Sequence, residues 1–307
     1  MGHSRVSEGT VSQPGPRSSS KPGSMKGIIV AAGYGTRFLP ITKTVPKELL
    51  PLVNVPSIAF IVDEFVKSGI KDIIIISSRR KKALEDYFDR EVELEMLFGK
   101  EGKTQALERI APPADVRFAY VRQQHMLGTG HALLQVKNLV GSDPCIVAYP
   151  DDLHLGAMPL SAQLIQTWKE TSCSVMAAFH ESGDVSRYGV LDIAPDGRHV
   201  RAIVEKPAPG TEPSHEVSIG RYLYTPEFFT HLEEGWELHQ KDGNAGKEYF
   251  HIYALNRLMA AGKVVYCPFS GLRLDTGEPE GYLNAILTYA DTVPSLRKVV
   301  DAYVADR

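Results

Sequence analysis

The sequence predicts an α/β fold built on a mostly parallel, mixed sheet with helices on both faces. Three observations point there. From Met25 onward, short apolar runs rich in β-branched residues alternate with stretches of helical periodicity. No Pro/Gly/Ser-rich linker interrupts that alternation, so one continuous domain over 25–307 is expected. The turn residues best suited to chemistry fall just after apolar runs, where open α/β sheets bind their ligands.

The elements follow in order. Residues 27–32 read as a buried strand that stops at a glycine turn. Apolar spacing predicts a helix over 57–68, closed by Gly69, then a buried strand over 72–76 and a helix over 81–88. A strand at 116–121 and a helix at 130–140 precede the strand 145–149, which ends at Pro150-Asp151-Asp152. A helix over 160–170 leads to a strand at 174–179. The second half is more mixed. Residues 188–193 and 200–204 predict an antiparallel pair around the turn Pro195-Asp196-Gly197. The pattern then predicts a helix over 247–260, closed by Gly262, and a strand at 264–266.

With 307 residues and 43% hydrophobic content, the chain can bury a full core without a staple. A net charge of −3 leaves no electrostatic footprint for nucleic acid or an anionic membrane, and no apolar run has the length of a membrane span. The three widely spaced cysteines, Cys145, Cys173 and Cys267, read as reduced core thiols of a cytoplasmic protein. Residues 1–24 are rich in Ser, Gly and Pro and lack the apolar segment of a secretory signal. They are expected to be a disordered leader, with Met25 poised directly before the first strand.

Chemistry concentrates in a few segments. Gly33-Tyr34-Gly35-Thr36-Arg37-Phe38-Leu39-Pro40 follows the first strand, and Pro46-Lys47-Glu48-Leu49-Leu50-Pro51 comes soon after. A glycine-rich turn at a strand end lets backbone N–H groups approach phosphate, which makes Ala32 and Gly33 candidate substrate contacts. Arg37 and Lys47 add two cations suited to a polyphosphate. Asp151 stands at a strand end after a proline, a favourable place for Mg²⁺; Asp152 is the alternative ligand, and capping the next turn is the commoner role for such a residue. Gln123 lies in Gln123-Gln124-His125-Met126-Leu127-Gly128, and its amide offers both a donor and an acceptor, with Gly128 presenting backbone beside it. The histidines nearby have no third partner and carry little weight as a metal site. Val204-Glu205-Lys206-Pro207 supplies a cation able to hold a dianionic nucleophile, and Gly189 allows a ring to lie against backbone.

Together these segments resemble the sugar-nucleotide pyrophosphorylases, and within them most closely the bacterial UTP–glucose-1-phosphate uridylyltransferases. The resemblance runs from about Met25 to the 290s. It implies a single Rossmann-like nucleotidyltransferase domain, UTP and glucose 1-phosphate as substrates, Mg²⁺ as cofactor, and a homo-oligomer, dimer or tetramer. It implies that Arg37 and Lys47 contact the β- and γ-phosphates, that Lys206 holds the sugar phosphate and Glu205 accepts sugar hydroxyls, and that Asp151 binds the metal. Arg273-Leu274-Asp275-Thr276-Gly277 looks like the family's Asp-Thr-Gly turn, which makes Asp275 a second metal ligand; an Asx-turn before glycine is nearly as good a reading. Glu48 follows the uridylyl pattern, where thymidylyl relatives carry Gln. A relative using dTTP or another nucleotide is the nearest alternative. A catalytically silent relative is disfavoured because Arg37, Asp151 and Lys206 are all present, and a dinucleotide-binding dehydrogenase is excluded because the glycine spacing is not G-x-G-x-x-G.

Overall fold

The computed structural model describes residues 25–306; the disordered leader expected over 1–24 lies outside them. Strand β1 (Lys26–Val30) enters a loop of three short 3₁₀ turns, at Thr36–Phe38, Ile41–Lys43 and Lys47–Leu49. A small hairpin, β2 (Pro51–Leu52) and β3 (Val55–Pro56), leads to α1 (Ser57–Lys67), β4 (Asp72–Ser77) and α2 (Ala83–Tyr87). A helical hairpin, α3 (Val92–Lys100) and α4 (Thr104–Ile110), precedes β5 (Arg117–Arg122). Then come α5 (Gly128–Leu134), α6 (Lys137–Val140), β6 (Cys145–Ala148), β7 (Asp152–Leu155), α7 (Leu160–Thr171) and β8 (Ser174–His180). The second half holds β9 (Gly189–Ile193), β10 (Val200–Glu205), β11 (Glu216–Tyr224), α8 (Glu227–Lys241) and α9 (Ile252–Ala260). The chain closes with β12 (Val264–Pro268), β13 (Leu272–Asp275), α10 (Pro279–Thr292) and α11 (Pro294–Ala305).

Nine strands form the main sheet, with a path β10-β9-β11-β6-β1-β4-β5 and the pair β8-β12 branching from β11. Strands β6, β1, β4 and β5 run parallel, whereas β11 is antiparallel to β6, β8 and β9. The reason lies in the side chains. In β1, Ile28 and Ile29 are both fully buried but face opposite ways, as period-two geometry demands. Ile28, Ile74, Ile76 and Val147 pack with Leu133, Phe228, Leu255 and Leu258, from α5, α8 and α9. Ile29, Ile73, Ile75 and Ile146 pack on the other face with Ile58, Ile61, Phe65 and Leu164, from α1 and α7. A strand covered on both faces has no polar side, so its sequence is a continuous apolar run. Burying one such isoleucine removes roughly 2 kcal/mol of unfavourable hydration.

Three predicted elements differ. The helix expected over 130–140 begins earlier, at Gly128, and is divided by the turn at Gln135-Val136 into α5 and α6. The stretch expected as a helix over 81–88 starts as a 3₁₀ turn, with the Lys81 side chain turned inward. The helix expected over 247–260 begins only at Ile252, because the backbone of Tyr249 is already committed elsewhere. Its N–H donates to Leu127 O at 2.7 Å and its carbonyl accepts from Gly130 N at 2.9 Å. Gly128, at φ +87°, is what admits this approach, since a Cβ there would lie 2.5 Å from Tyr249 O.

Candidate active site

The carboxyl ends of β1, β4, β5 and β6 open onto two adjoining hollows. One, of about 290 Å³, is lined by Ala32, Gly33, Gln123, Gly128 and Thr129, among others. The second, of about 750 Å³, is lined by Arg37, Thr129, Asp151, Gly189, Lys206 and Asp275, among others. Thr129 belongs to both walls. The glycine turn, the glutamine segment, the strand-end aspartate and the Lys206 loop, separated by up to about 170 residues of sequence, therefore surround one continuous space.

In the smaller hollow, Gly33 is exposed and a Cβ there would meet nothing within 4 Å; the left-handed residue of the turn is Gly35, at φ +70°. Gln123 is buried. Its Nε2 donates to Gly128 O at 3.1 Å and contacts His131 Nδ1 at 3.0 Å, which fixes the amide against the helix start. His131 thus supports Gln123, a job beyond the surface role expected of it.

On the wall of the larger hollow, Asp151 Oδ2 accepts from Lys47 Nζ at 2.9 Å, and Arg37 Nη1 donates to Gly277 O at 3.4 Å. Burial works against the charge on Lys47, but Asp151 and then Glu48 outweigh it and its pKa is raised. Burial likewise opposes the Asp151 carboxylate, and Lys47 outweighs it, holding that carboxyl below its ordinary range. Asp152, the next residue, goes the other way: burial raises its pKa beyond what Arg273 offsets, and the Asp151 and Asp275 charges raise it further. Arg273 Nε donates to Asp152 Oδ1 at 2.7 Å and Gly220 N to Asp152 Oδ2 at 3.1 Å, so both oxygens of Asp152 are spoken for.

The β13–β7 pairing sets Asp275 opposite Asp152, and Thr276 N donates to Asp151 O at 2.7 Å, which brings Asp275 to the site. Asp275 Oδ1 accepts from Gly277 N at 2.9 Å, the Asx-turn, and its Oδ2 lies 3.4 Å from Arg273 Nη2. A Cβ on Gly277 would lie 3.2 Å from Asp275 Oδ1 and 3.7 Å from Asp151 Cβ; the two carboxylates flank this glycine. Under this turn, Arg221 is fully buried, faces Glu64 at 3.2 Å and donates to Asp152 O at 3.1 Å.

On the far wall, β9 and β10 pair Gly189 with Glu205. A Cβ on Gly189 would lie 2.9 Å from Glu205 Oε1, so this glycine makes room for the glutamate. Lys206 is exposed, and its φ of +48° turns the chain just after β10 while its N–H donates to Tyr188 O at 2.9 Å.

Glu48, expected among the substrate contacts, is 1% exposed, and Lys81 Nζ donates to both its oxygens, at 2.7 and 2.8 Å, and to Ala31 O at 2.6 Å. This ion pair ties the Lys47 turn to the end of β1. Sequence reasoning missed Lys81 because Arg79-Arg80-Lys81-Lys82 looks like a solvated charge run. It missed Arg273, which lies two residues before Asp275 on the same strand face, a placement that period-two reading offers. It also missed Tyr188, stacked between the guanidinium groups of Arg187 and Arg273, each 5.3 Å from its ring centre. His251, on the cleft wall, had no signal, because its segment reads as helix interior.

The model of the family described as nucleotidyl transferase matches residues 26–292. The chain is 40% identical over 284 residues to a UTP–glucose-1-phosphate uridylyltransferase of Staphylococcus epidermidis, covering 91% of this chain and 96% of that one. Its fold matches a UTP-bound UDP-glucose pyrophosphorylase of Acinetobacter baumannii with a TM-score of 0.81 and 30% identity, over 92% of this chain and 99% of the other. A UDP-glucose pyrophosphorylase complexed with UDP-glucose matches with a TM-score of 0.73 and 34% identity, over 88% and 99% of the respective chains. A glycine turn, two cations and a strand-end aspartate gathered at one cleft accord with these matches, which establish that the chain belongs to the nucleotidyl transferase family.

Proposed function

We infer that this protein transfers the uridylyl group of UTP to glucose 1-phosphate, releasing pyrophosphate and forming UDP-glucose. The observation that carries this reading is that two hollows, one lined by Gln123 and the glycine turn and one by Lys206 and Gly189, share Thr129, with Arg37 and the Lys47-bonded Asp151 on the wall of the second. The uridylyltransferase relatives and the solved structures with UTP and UDP-glucose support the choice of substrates.

In this reading the uracil edge meets Gln123 and the backbone at Gly128, and the triphosphate crosses the turn at Ala32 and Gly33 toward Arg37 and Lys47. Lys206 holds the sugar phosphate, and Glu205 accepts hydroxyls of the ring. An oxygen of that phosphate attacks the α-phosphorus; its bond to phosphorus forms as the bond to the β-phosphate oxygen breaks, and the electron pair leaves on pyrophosphate. Two polyanions repel strongly at this distance, so the work of the protein is positioning and neutralisation. Lys47, whose charge is favoured by Asp151, is suited to the leaving group.

Mg²⁺ is the proposed cofactor. Among the described residues no group of three or more His, Cys, Asp or Glu side chains forms a metal cage. Asp151 and Asp275 flank Gly277, and two carboxylates are the donor set a hard cation uses when phosphate oxygens and water complete its shell. The residues fit, and Asp152, whose oxygens accept from Arg273 and Gly220, is the alternative ligand. When bound, the ion would offset charge on the transferring phosphates. No helix among the described residues is long and apolar enough to cross a membrane. The three free cysteines, two of them buried, favour a reducing compartment and so the proposed cytoplasmic location. A dimer or tetramer is proposed for the assembly.

The test is pyrophosphate release measured with each nucleoside triphosphate against each hexose 1-phosphate. UTP with glucose 1-phosphate is expected to exceed dTTP by at least about tenfold in kcat/KM, the scale set by one unpaired polar contact. Equal efficiency with dTTP would move the chain to the thymidylyl branch.

A further inference from the structure

His251 is held in one orientation on the wall of the larger hollow, beside the residue shared with the smaller one. Its Nδ1 lies 2.8 Å from Thr129 Oγ1 and 3.1 Å from Tyr149 Oη. Its own N–H donates to Thr129 Oγ1 at 3.3 Å, so the backbone and the ring of His251 are both tied to one hydroxyl. Nδ1 is thus committed to Thr129 and Tyr149, and Nε2 is the other ring nitrogen. Tyr149, 5.6 Å away and tilted, and Tyr222, 5.5 Å away and edge-on, fix the plane of the ring. Burial pushes the imidazole pKa down to about 4, which keeps the ring neutral at working pH. The ring lines the cleft together with Gly189, Lys206 and Ser218, and Nε2 has no hydrogen-bond partner among the described residues. An immobilised ring nitrogen without a partner, at the edge of the hollow, is placed to meet a hydroxyl that arrives with the ligand.

We propose that His251 is a specificity-determining residue whose Nε2 makes a hydrogen bond with one ring hydroxyl of the hexose 1-phosphate. The inference rests on the proposed uridylyl transfer and deepens it on the sugar side. A neutral imidazole suits an uncharged hydroxyl, which can donate or accept. It requires neither the phosphate, which Lys206 serves, nor the base, which Gln123 serves.

The experiment pairs enzyme and substrate deletions. Glucose 1-phosphate and its 2-, 3-, 4- and 6-deoxy analogues are compared, with UTP, on the wild type, His251→Leu and His251→Gln. His251→Leu is expected to lose about tenfold in kcat/KM for glucose 1-phosphate, the magnitude of one hydrogen bond, with KM for UTP unchanged within about twofold. One deoxy analogue should lose about tenfold on the wild type and about nothing more on His251→Leu, while the other three lose equally on both. His251→Gln, which keeps a polar amide at similar reach, should recover most of the loss. If His251→Leu is not obtained folded, the same analogue pattern on His251→Gln, with the matched analogue losing less than on the wild type, carries the comparison. Equal losses with all five sugars would overturn the proposal, as would a loss that appears only when UTP is exchanged for 2′-deoxy-UTP. A wild type inactive with glucose 1-phosphate tells against the proposed transfer instead. Calorimetric binding of the same sugars then reads the His251 contact without turnover.

Discussion

The two hollows are built by different means. The smaller one is made of backbone and short-range motif: the glycine turn after β1, the Gln123 segment after β5, and beneath them a buried strut in which Lys81 ties Glu48 to Ala31 O. The larger one gathers side chains from segments far apart in the chain, among them Asp151, Gly189, Lys206, His251 and Asp275. Several of these stand at strand ends, and Lys206 among them is exposed. A phosphate chain is recognised by N–H groups and fixed cations, which a rigid turn supplies. A sugar is recognised by hydroxyl-directed side chains, and these are added piecewise around the cleft.

The contrast breaks first on the wall of the larger hollow. Replacing Asp151 by Asn removes the partner of Lys47 and one of two carboxylates, and turnover is expected to fall about a thousandfold, roughly 4 kcal/mol, with melting close to wild type. Activity near normal at saturating Mg²⁺ would remove Asp151 from the mechanism. On the sugar side, Lys206→Ala should cost two to three decades of turnover, about 3–4 kcal/mol, and leave UTP binding by calorimetry almost intact. Equal weakening of both ligands would assign Lys206 to the triphosphate.

The nucleotide side should respond in stability as well. Lys81→Met strands a buried carboxylate, and a loss of about 3 kcal/mol is expected in urea unfolding, with KM for UTP raised. Adding Glu48→Gln should return part of that stability, because the uncompensated charge is then gone; no recovery would mean the strut acts by packing alone. Burial depresses the pKa of Lys81, and the charge and hydrogen bond of Glu48 only partly restore it.

The smallest effect belongs to His251. Its pKa is about 4 in the fold against an ordinary 6.5, so between those values the unfolded chain binds the extra proton and the folded chain does not. Stability is therefore full above pH 6.5 and declines as pH falls toward 4, by up to about 2 kcal/mol from pH 7 to pH 5. His251→Gln should flatten that part of the melting-versus-pH curve, and an unchanged slope would place the titration elsewhere.

How much was legible follows the same division. The runs of β1, β4 and β6 announce strands buried on two faces, because a covered strand can carry no polar side chain. Arg37, Lys47, Asp151 and Lys206 were legible because each sits in a short motif whose spacing is set by the turn that holds it. Glu48 was legible as a motif residue but not as a strut: its partner Lys81 is 33 residues away in a run that looks solvated. The start of α9 was misplaced because backbone bonds from Leu127 and Gly130 to Tyr249 override a local helical pattern.

By itself, then, the sequence determined the layered α/β architecture and the turns that carry Arg37, Lys47 and Asp151, since apolar periodicity and turn geometry act over a few residues. Only the tertiary structure decided that Asp152 is held by Arg273 while Asp151 beside it faces Lys47, and that His251 reaches the cleft. Adjacent carboxylates and a lone histidine carry no environment in their letters. Desolvation and a charged partner set their protonation and their roles, and both come from residues that only folding brings near.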